Sequence, residues 1–251
     1  VMWYYILCGL VFVTQLSAVP KVDGRIVGGE EANIEDFPYQ VSFIAKRSYF
    51  CGGFIVSENY ILTAGHCAQN GGSRRHQLVK IIQFNDPPFD KDVAYMRTAH
   101  PIQFTRTIQP IALPPLNRPV TGDIVVAGWG RTQQDINILP SRLMKVRLPV
   151  VNRLECFLAY PSILTRNMVC AGNFLFGEEG TCQGDSGGSA VQDGVAVGIV
   201  SFGKGCGAPM APSVFRSVGR PPARWTDDLK KVVGSGFFIL FLFLFIRINK
   251  Q

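Results

Sequence analysis

The pentapeptide Gly184-Asp185-Ser186-Gly187-Gly188 carries the strongest chemical signal in the chain. Glycines on both sides let the backbone turn sharply and approach a substrate closely while presenting one hydroxyl. Neighbouring N–H groups in such a turn can converge on a developing oxyanion. A serine hydroxyl is a weak nucleophile without a base beside it, so a histidine is required. The chain has 3 histidines, His66, His76 and His100, and all precede Ser186. The glycines also fit the G-x-S-x-G of a nucleophile elbow, but there the histidine follows the serine. That reading fails on chain order. An order of acid, base, nucleophile formally admits Asp36. The order of base, acid, nucleophile admits His66, one of several aspartates and Ser186.

Elements able to hold such groups apart in sequence and together in space are short strands. Tyr39–Ala45, Tyr60–Thr63, Leu78–Phe84, Ile124–Ala127, Leu143–Val150 and Val195–Phe202 are apolar or alternating runs rich in Val, Ile and Phe. Turn residues punctuate them, as at Asn70-Gly71-Gly72, Asp86-Pro87-Pro88 and Pro114-Pro115. Arg153–Tyr160 reads as one short helix. No other stretch of the body sustains a helical period, so the chain reads as all-β. Many short strands around a large core favour barrels or sandwiches.

With 251 residues, 47% hydrophobic and 17% charged, the chain can bury a site and is not disordered. Its net charge of +7 invites a nucleic-acid reading. Much of that charge lies in residues 219–251, and the body 26–218 is nearly balanced, with no basic cluster to follow phosphates. No nucleic-acid partner is expected. Ile6–Val13 followed by Leu16-Ser17-Ala18 reads as a signal peptide over 1–18, hence a secreted, extracellular protein. Its removal takes Cys8 and leaves Cys51, Cys67, Cys156, Cys170, Cys182 and Cys206. An even count in an oxidising compartment reads as three disulfides, and the spacing lacks paired C-x-x-C zinc ligands. No metal or other cofactor is expected.

Thr63-Ala64-Gly65-His66-Cys67, Asp92-Val93-Ala94-Tyr95 and the Ser186 pentapeptide resemble, in order, the triad motifs of chymotrypsin- and trypsin-like serine proteases. Arg25-Ile26-Val27-Gly28-Gly29 is similar to their activation site, and Ala127-Gly128-Trp129-Gly130 to another family stretch. The resemblance runs from about Arg25 to Val218. It implies two antiparallel six-stranded β-barrels and a serine endopeptidase made as a zymogen. Residues 19–25 would be the activation propeptide and 26–218 the protease domain.

By the same resemblance, Ser186 is the nucleophile, His66 the base and Asp92 the acid. Among nearby acids, Asp86 and Asp90 included, Asp92 stands out because Val93-Ala94-Tyr95-Met96 follows it like a buried strand. His76 and His100 flank charged or proline-containing loops and read as solvated. Gly184 and Ser186 would supply the oxyanion N–H groups. Cutting after Arg25 would free an ammonium on Ile26 to pair with Asp185. Disulfides would join Cys51 to Cys67, Cys156 to Cys170 and Cys182 to Cys206. Gly180 stands at the pocket floor, where trypsin-like members place Asp, and Gly203 and Ser213 at its walls. Ser201-Phe202-Gly203 would pair with the substrate backbone. An uncharged pocket suits cleavage after Phe, Tyr, Leu or Met. The expected partners are protein or peptide substrates, an activating protease and protein protease inhibitors.

Three departures from the pattern stand out. His66 and Asp92 are 26 residues apart, against about 45 in the family template, so the first barrel is expected to be shortened. Missing strands would expose an edge and threaten the placement of Asp92. Gly65 and Ser189 replace the usual Ala and Pro. The closing C-terminal helix is expected to be missing. Residues 219–251 instead are similar to the end of reverse transcriptases from insect retroelements, and read as an atypical tail outside the domain. Phe237–Ile246 is ten apolar residues, too few to span a bilayer, so no membrane partner is expected. These departures support an alternative reading, an inactive homolog acting as a binding protein.

Overall fold

The computed structural model describes residues 26–45, 48–70, 78–84 and 89–220. The 1–18 and 19–25 segments, Arg25, His76, Asp86 and the tail beyond Arg220 lie outside them. The strands in chain order are β1 (Glu30–Glu31), β2 (Gln40–Ala45), β3 (Ser48–Ser57), β4 (Tyr60–Thr63), β5 (Leu78–Phe84) and β6 (Val93–Thr98). There follow β7 (Asp123–Gly128), β8 (Met144–Pro149), β9 (Met168–Ala171), β10 (Ser189–Gln192), β11 (Val195–Phe202) and β12 (Ser213–Ser217). Among the described residues two short α-helices interrupt them, α1 (Gly65–Asn70) and α2 (Arg153–Ala159). Among the described residues, no helix is long and apolar enough to cross a membrane.

Among the described residues the named strands pair antiparallel. The first sheet has five strands in the order β2-β3-β4-β6-β5 and curls around Phe54, Val56, Leu62, Val93 and Tyr95. The second has seven in the order β1-β8-β7-β10-β11-β12-β9. Its ends meet. Val150, just past β8, bridges Ala171 of β9, and Val151 N–H donates to the Cys170 carbonyl at 3.0 Å. Strands β7 to β12 thus close into a six-stranded ring, with β1 added outside β8. Strand β8 shows how the pattern dictates this. Met144, Val146 and Leu148 turn into the core while Lys145, Arg147 and Pro149 turn out, the period of two that a pleated strand imposes.

The fold is the expected one, with five strands in the first sheet among the described residues. Helix α2 begins in a capping box. The Asn152 side chain accepts from Glu155 N–H at 2.9 Å, and the Glu155 carboxylate accepts from Asn152 N–H at 3.3 Å. Disulfides join Cys51 to Cys67, Cys156 to Cys170 and Cys182 to Cys206. They tie α1 to β3, α2 to β9, and the segment before Ser186 to the loop after β11.

Candidate functional site

Helix α1 presents His66, and Asp92 stands one residue before β6. Strand β4 leads into α1 and pairs with β6 in register, Thr63 opposite Ala94, so the sheet brings the two side chains together. One Asp92 oxygen accepts the His66 backbone N–H at 2.9 Å, and the other lies 2.8 Å from His66 Nδ1. The short first sheet therefore leaves the acid in place. Ser201 adds a third bond, its Oγ donating to the same carboxylate at 2.6 Å. Ser201 falls where the register of β11 against β12 shifts, and such a bulge re-aims a side chain. The Asp92 side chain is 0% exposed and that of His66 24%. A carboxylate on Nδ1 holds the ring in the tautomer whose Nε2 can accept a proton.

Ser201→Ala would take one charge-assisted bond from this buried carboxylate, a loss of about 1.5–3 kcal/mol. The expected outcome is a roughly 10- to 100-fold lower kcat with KM little changed. Steady-state kinetics on a peptide ester check it. Wild-type kcat in that variant would show that His66 alone orients Asp92.

Ser186 sits across the gap between the sheets. Its carbonyl accepts from Gly52 N–H of β3 at 2.8 Å, beside the Cys51–Cys67 disulfide. Gly187 follows at φ +83°, and a Cβ there would lie 2.2 Å from Thr63 Oγ1 and 2.4 Å from the Gly52 carbonyl. Only glycine lets the two sheets approach this closely. Asp185 N–H donates to the Cys182 carbonyl and Gly187 N–H to that of Val200. The N–H groups of Gly184 and Ser186 are claimed by no hydrogen bond among the described residues, which leaves two donors for an oxyanion.

The expected pocket residues converge. A Cβ on buried Gly180 would lie 3.3 Å from Ser213 Oγ, and one on Gly203 would lie 3.8 Å from Ser213 Cα. Sequence reasoning missed Thr181. Its N–H and Oγ1 both bond Ser213 Oγ, at 3.0 and 2.9 Å, and both residues are buried. Its position next to Gly180 was the available signal. Phe202 is half-buried, with the Phe89 ring 4.8 Å and the Tyr160 ring 5.5 Å away. Gly203 is exposed at the rim.

Asp185 points away from the gap. It is 1% exposed, and its oxygens accept from Gly130 N–H and Cys182 N–H, both at 2.9 Å. Burial pushes its carboxyl up to about 7 despite those two donors. Among the described residues no cation pairs with it. Ile26 is fully buried in the second barrel.

The competing residues do not join the site. Asp36 is exposed in a turn, His100 is exposed, and Asp90 is bonded to Asn167. Cys51 and Cys67 lie beside His66 but are bonded to each other and offer no thiolate to a metal. A cavity of about 300 Å³ lined by Arg118, Arg153, Arg166 and Arg220 shares no residue with this gap. Three of its guanidinium groups are already engaged, Arg118 by Asp193 and the others by backbone carbonyls.

The trypsin family model matches residues 26–223. The chain is 39% identical over 227 residues to trypsin Tyr p 3.0101 of Tyrophagus putrescentiae, covering 80% of this chain and 79% of that one. It is 38% identical over 241 residues to trypsin 5G1 of Aedes aegypti, covering 85% and 87%. Among solved structures, neuropsin, a serine protease expressed in the limbic system of mouse brain, superposes with a TM-score of 0.70 at 29% identity. That match covers 82% of this chain and 99% of that one.

Proposed function

The chain belongs to the trypsin family of serine endopeptidases, and we propose that His66, Asp92 and Ser186 are the groups with which it cleaves peptide bonds. Ser186 Oγ attacks the carbonyl carbon and its proton passes to His66 Nε2. Asp92 holds the ring and stabilises the imidazolium. The N–H groups of Gly184 and Ser186 receive the oxyanion. His66 then gives its proton to the departing amine, and water repeats the sequence on the acyl-enzyme. The observation that carries this reading is the sealed carboxylate of Asp92 gripping His66 by both its backbone and its ring. An intact grip argues for catalysis over a binding role.

The zymogen, the secreted location and the activating protease belong to the same reading. Among the described residues no cation pairs with buried Asp185, and Ile26 is buried as well; a newly freed ammonium would supply the countercharge. Three disulfides suit an oxidising compartment. Protein or peptide chains are the substrates, and Ser201 to Gly203 would hold their backbone. Protein protease inhibitors would compete there.

The pocket supports a preference for large apolar side chains over Lys and Arg. Among the described residues the buried carboxylates are Asp92 and Asp185, both engaged elsewhere. Glu179 lies close over Gly28. A substrate cation at Gly180 would be buried unpaired, at a cost of several kcal/mol.

The test is labelling by a fluorophosphonate probe after cutting at Arg25, followed by a peptide library. Labelling and cleavage after Phe, Tyr, Leu or Met are expected. Absence of labelling in folded, cut protein would sink the catalytic reading. Cleavage after Lys or Arg would sink only the pocket assignment.

A further inference from the structure

The turn Phe89–Asp92 belongs to the first sheet by sequence, since it closes the hairpin between edge strand β5 and β6. Three of its side-chain contacts come from the second barrel. Phe89 packs on Phe202, Asp90 accepts from Asn167 Nδ2 at 3.0 Å, and Asp92 accepts from Ser201 at 2.6 Å. Behind Asn167 stands Arg216 of β12, 2% exposed and, among the described residues, the largest fully buried side chain. Arg216 Nη1 donates to the Asn167 carbonyl at 3.1 Å, and Ser217 N–H donates to the same carbonyl at 2.9 Å. Further Arg216 bonds reach the carbonyls of Ser217 and Arg220.

A buried guanidinium is a costly choice for stability. Apolar side chains of similar volume are often neutral or better in such places. Burial brings Arg216 down to about 10, while Asp90 and Asp92 act against that fall, so it stays charged at neutral pH. Its Nε has no partner among the described residues, and the carboxylates it faces are those of the turn. The turn also holds Phe89 at φ +66°, a conformation that a bulky residue adopts only when its surroundings impose it.

We propose that Asn167 and Arg216 are positioning residues for Asp92, a clamp from the second barrel that fixes the acid-bearing turn where the shortened first barrel cannot. The clamp rests on the reading of Asp92 as the acid of the site. Arg216 locks the Asn167 backbone, Asn167 holds Asp90, and Asp90 sets Asp92 two residues on. Catalysis is sensitive to displacements of about 1 Å, worth as much as 100-fold.

The experiment compares cut wild type with Asn167→Asp, Arg216→Met and the reciprocal pair Asn167→Asp with Asp90→Asn. Two readouts are kinetics on a peptide ester and the downfield NMR resonance of the proton between His66 and Asp92. Asn167→Asp sets two carboxylates against each other and is expected to lower kcat by about 10- to 100-fold, with KM little changed and the resonance weakened. The reciprocal pair rebuilds an amide–carboxylate bond and is expected to recover kcat to within about threefold. Arg216→Met is expected to behave like Asn167→Asp. Should it not fold, the half-buried Asn167 variants decide alone. Wild-type kcat and an unchanged resonance in folded Asn167→Asp, or no rescue by the reciprocal pair, would overturn the clamp. Should wild type hydrolyse nothing, the catalytic reading falls, and the resonance still decides whether the clamp positions Asp92.

Discussion

Ser186→Ala in the protein cut after Arg25 is expected to lower kcat by about 10⁶-fold, or about 8 kcal/mol of transition-state stabilisation. The magnitude follows from removing the covalent route. Without Oγ no acyl-enzyme forms, and the surviving donors can assist only direct attack by water. His66→Ala should cost about as much, because a serine hydroxyl without its base is a weak nucleophile. The double variant should be little worse than either single one, since the residues act as a unit. The fold should not change, as the hydrogen bonds holding position 186 are made by its backbone, with the carbonyl on Gly52 N–H. Rates and thermal unfolding of all three variants check this. A Ser186→Ala protein retaining a tenth of wild-type kcat would show that another nucleophile does the work. Additive losses in the double variant would show that the two residues do not act together.

What could be read in advance depended on whether local chemistry or distant contact fixes a residue. Ser186 was legible because the glycines that free its backbone stand beside it. His66 was legible because Thr63-Ala64-Gly65-His66-Cys67 resembles the base motif of the family. Strands β4, β5 and β11 were legible with their bounds, since Tyr60–Thr63, Leu78–Phe84 and Val195–Phe202 are mostly apolar runs rich in Val, Ile and Phe. Strand β3 was not, because Gly52 and Gly53 break its pattern while making room for Gly188 and β4. Ring closure rests on the bridge between Val150 and Ala171 and the Val151–Cys170 bond beside it, and no local pattern announces such a long-range pairing. Arg216 was invisible for another reason. An arginine reads as surface unless the carbonyls that receive it are known, and here they come from Asn167, Ser217 and Arg220.

The missing length before Asp92 reads as a threat to the site in sequence and as a redistribution of support in three dimensions. A first sheet with β5 at its edge has less to hold its β5–β6 hairpin. The second barrel takes part of that task through Phe202, Asn167 and Ser201. Function at the gap thus depends on both sheets holding one carboxylate.

Asp185→Asn is expected to lower kcat/KM of the cut protein by about 10²- to 10³-fold, because a freed Ile26 ammonium would then be buried without a countercharge, a cost of about 3–5 kcal/mol. The same pair predicts how stability varies with pH. In the uncut chain the carboxyl sits at about 7 in the folded state against 3.8 when unfolded. Between those values the folded protein binds the extra proton, so stability falls as pH rises through that window. Below it the carboxyl is protonated in both states and nothing is lost. The loss amounts to as much as about 4 kcal/mol. Cutting after Arg25 supplies the ammonium that keeps Asp185 ionised in the folded state, and the loss disappears. The Tm of cut protein minus that of uncut protein should therefore grow from pH 4 to pH 7. Asp185→Asn should abolish that growth, since it leaves no carboxyl to titrate. A Tm difference flat across this range would mean that Ile26 does not reach Asp185 after cleavage. Full activity of cut Asp185→Asn would mean that the oxyanion donors of Gly184 and Ser186 are set without the pair.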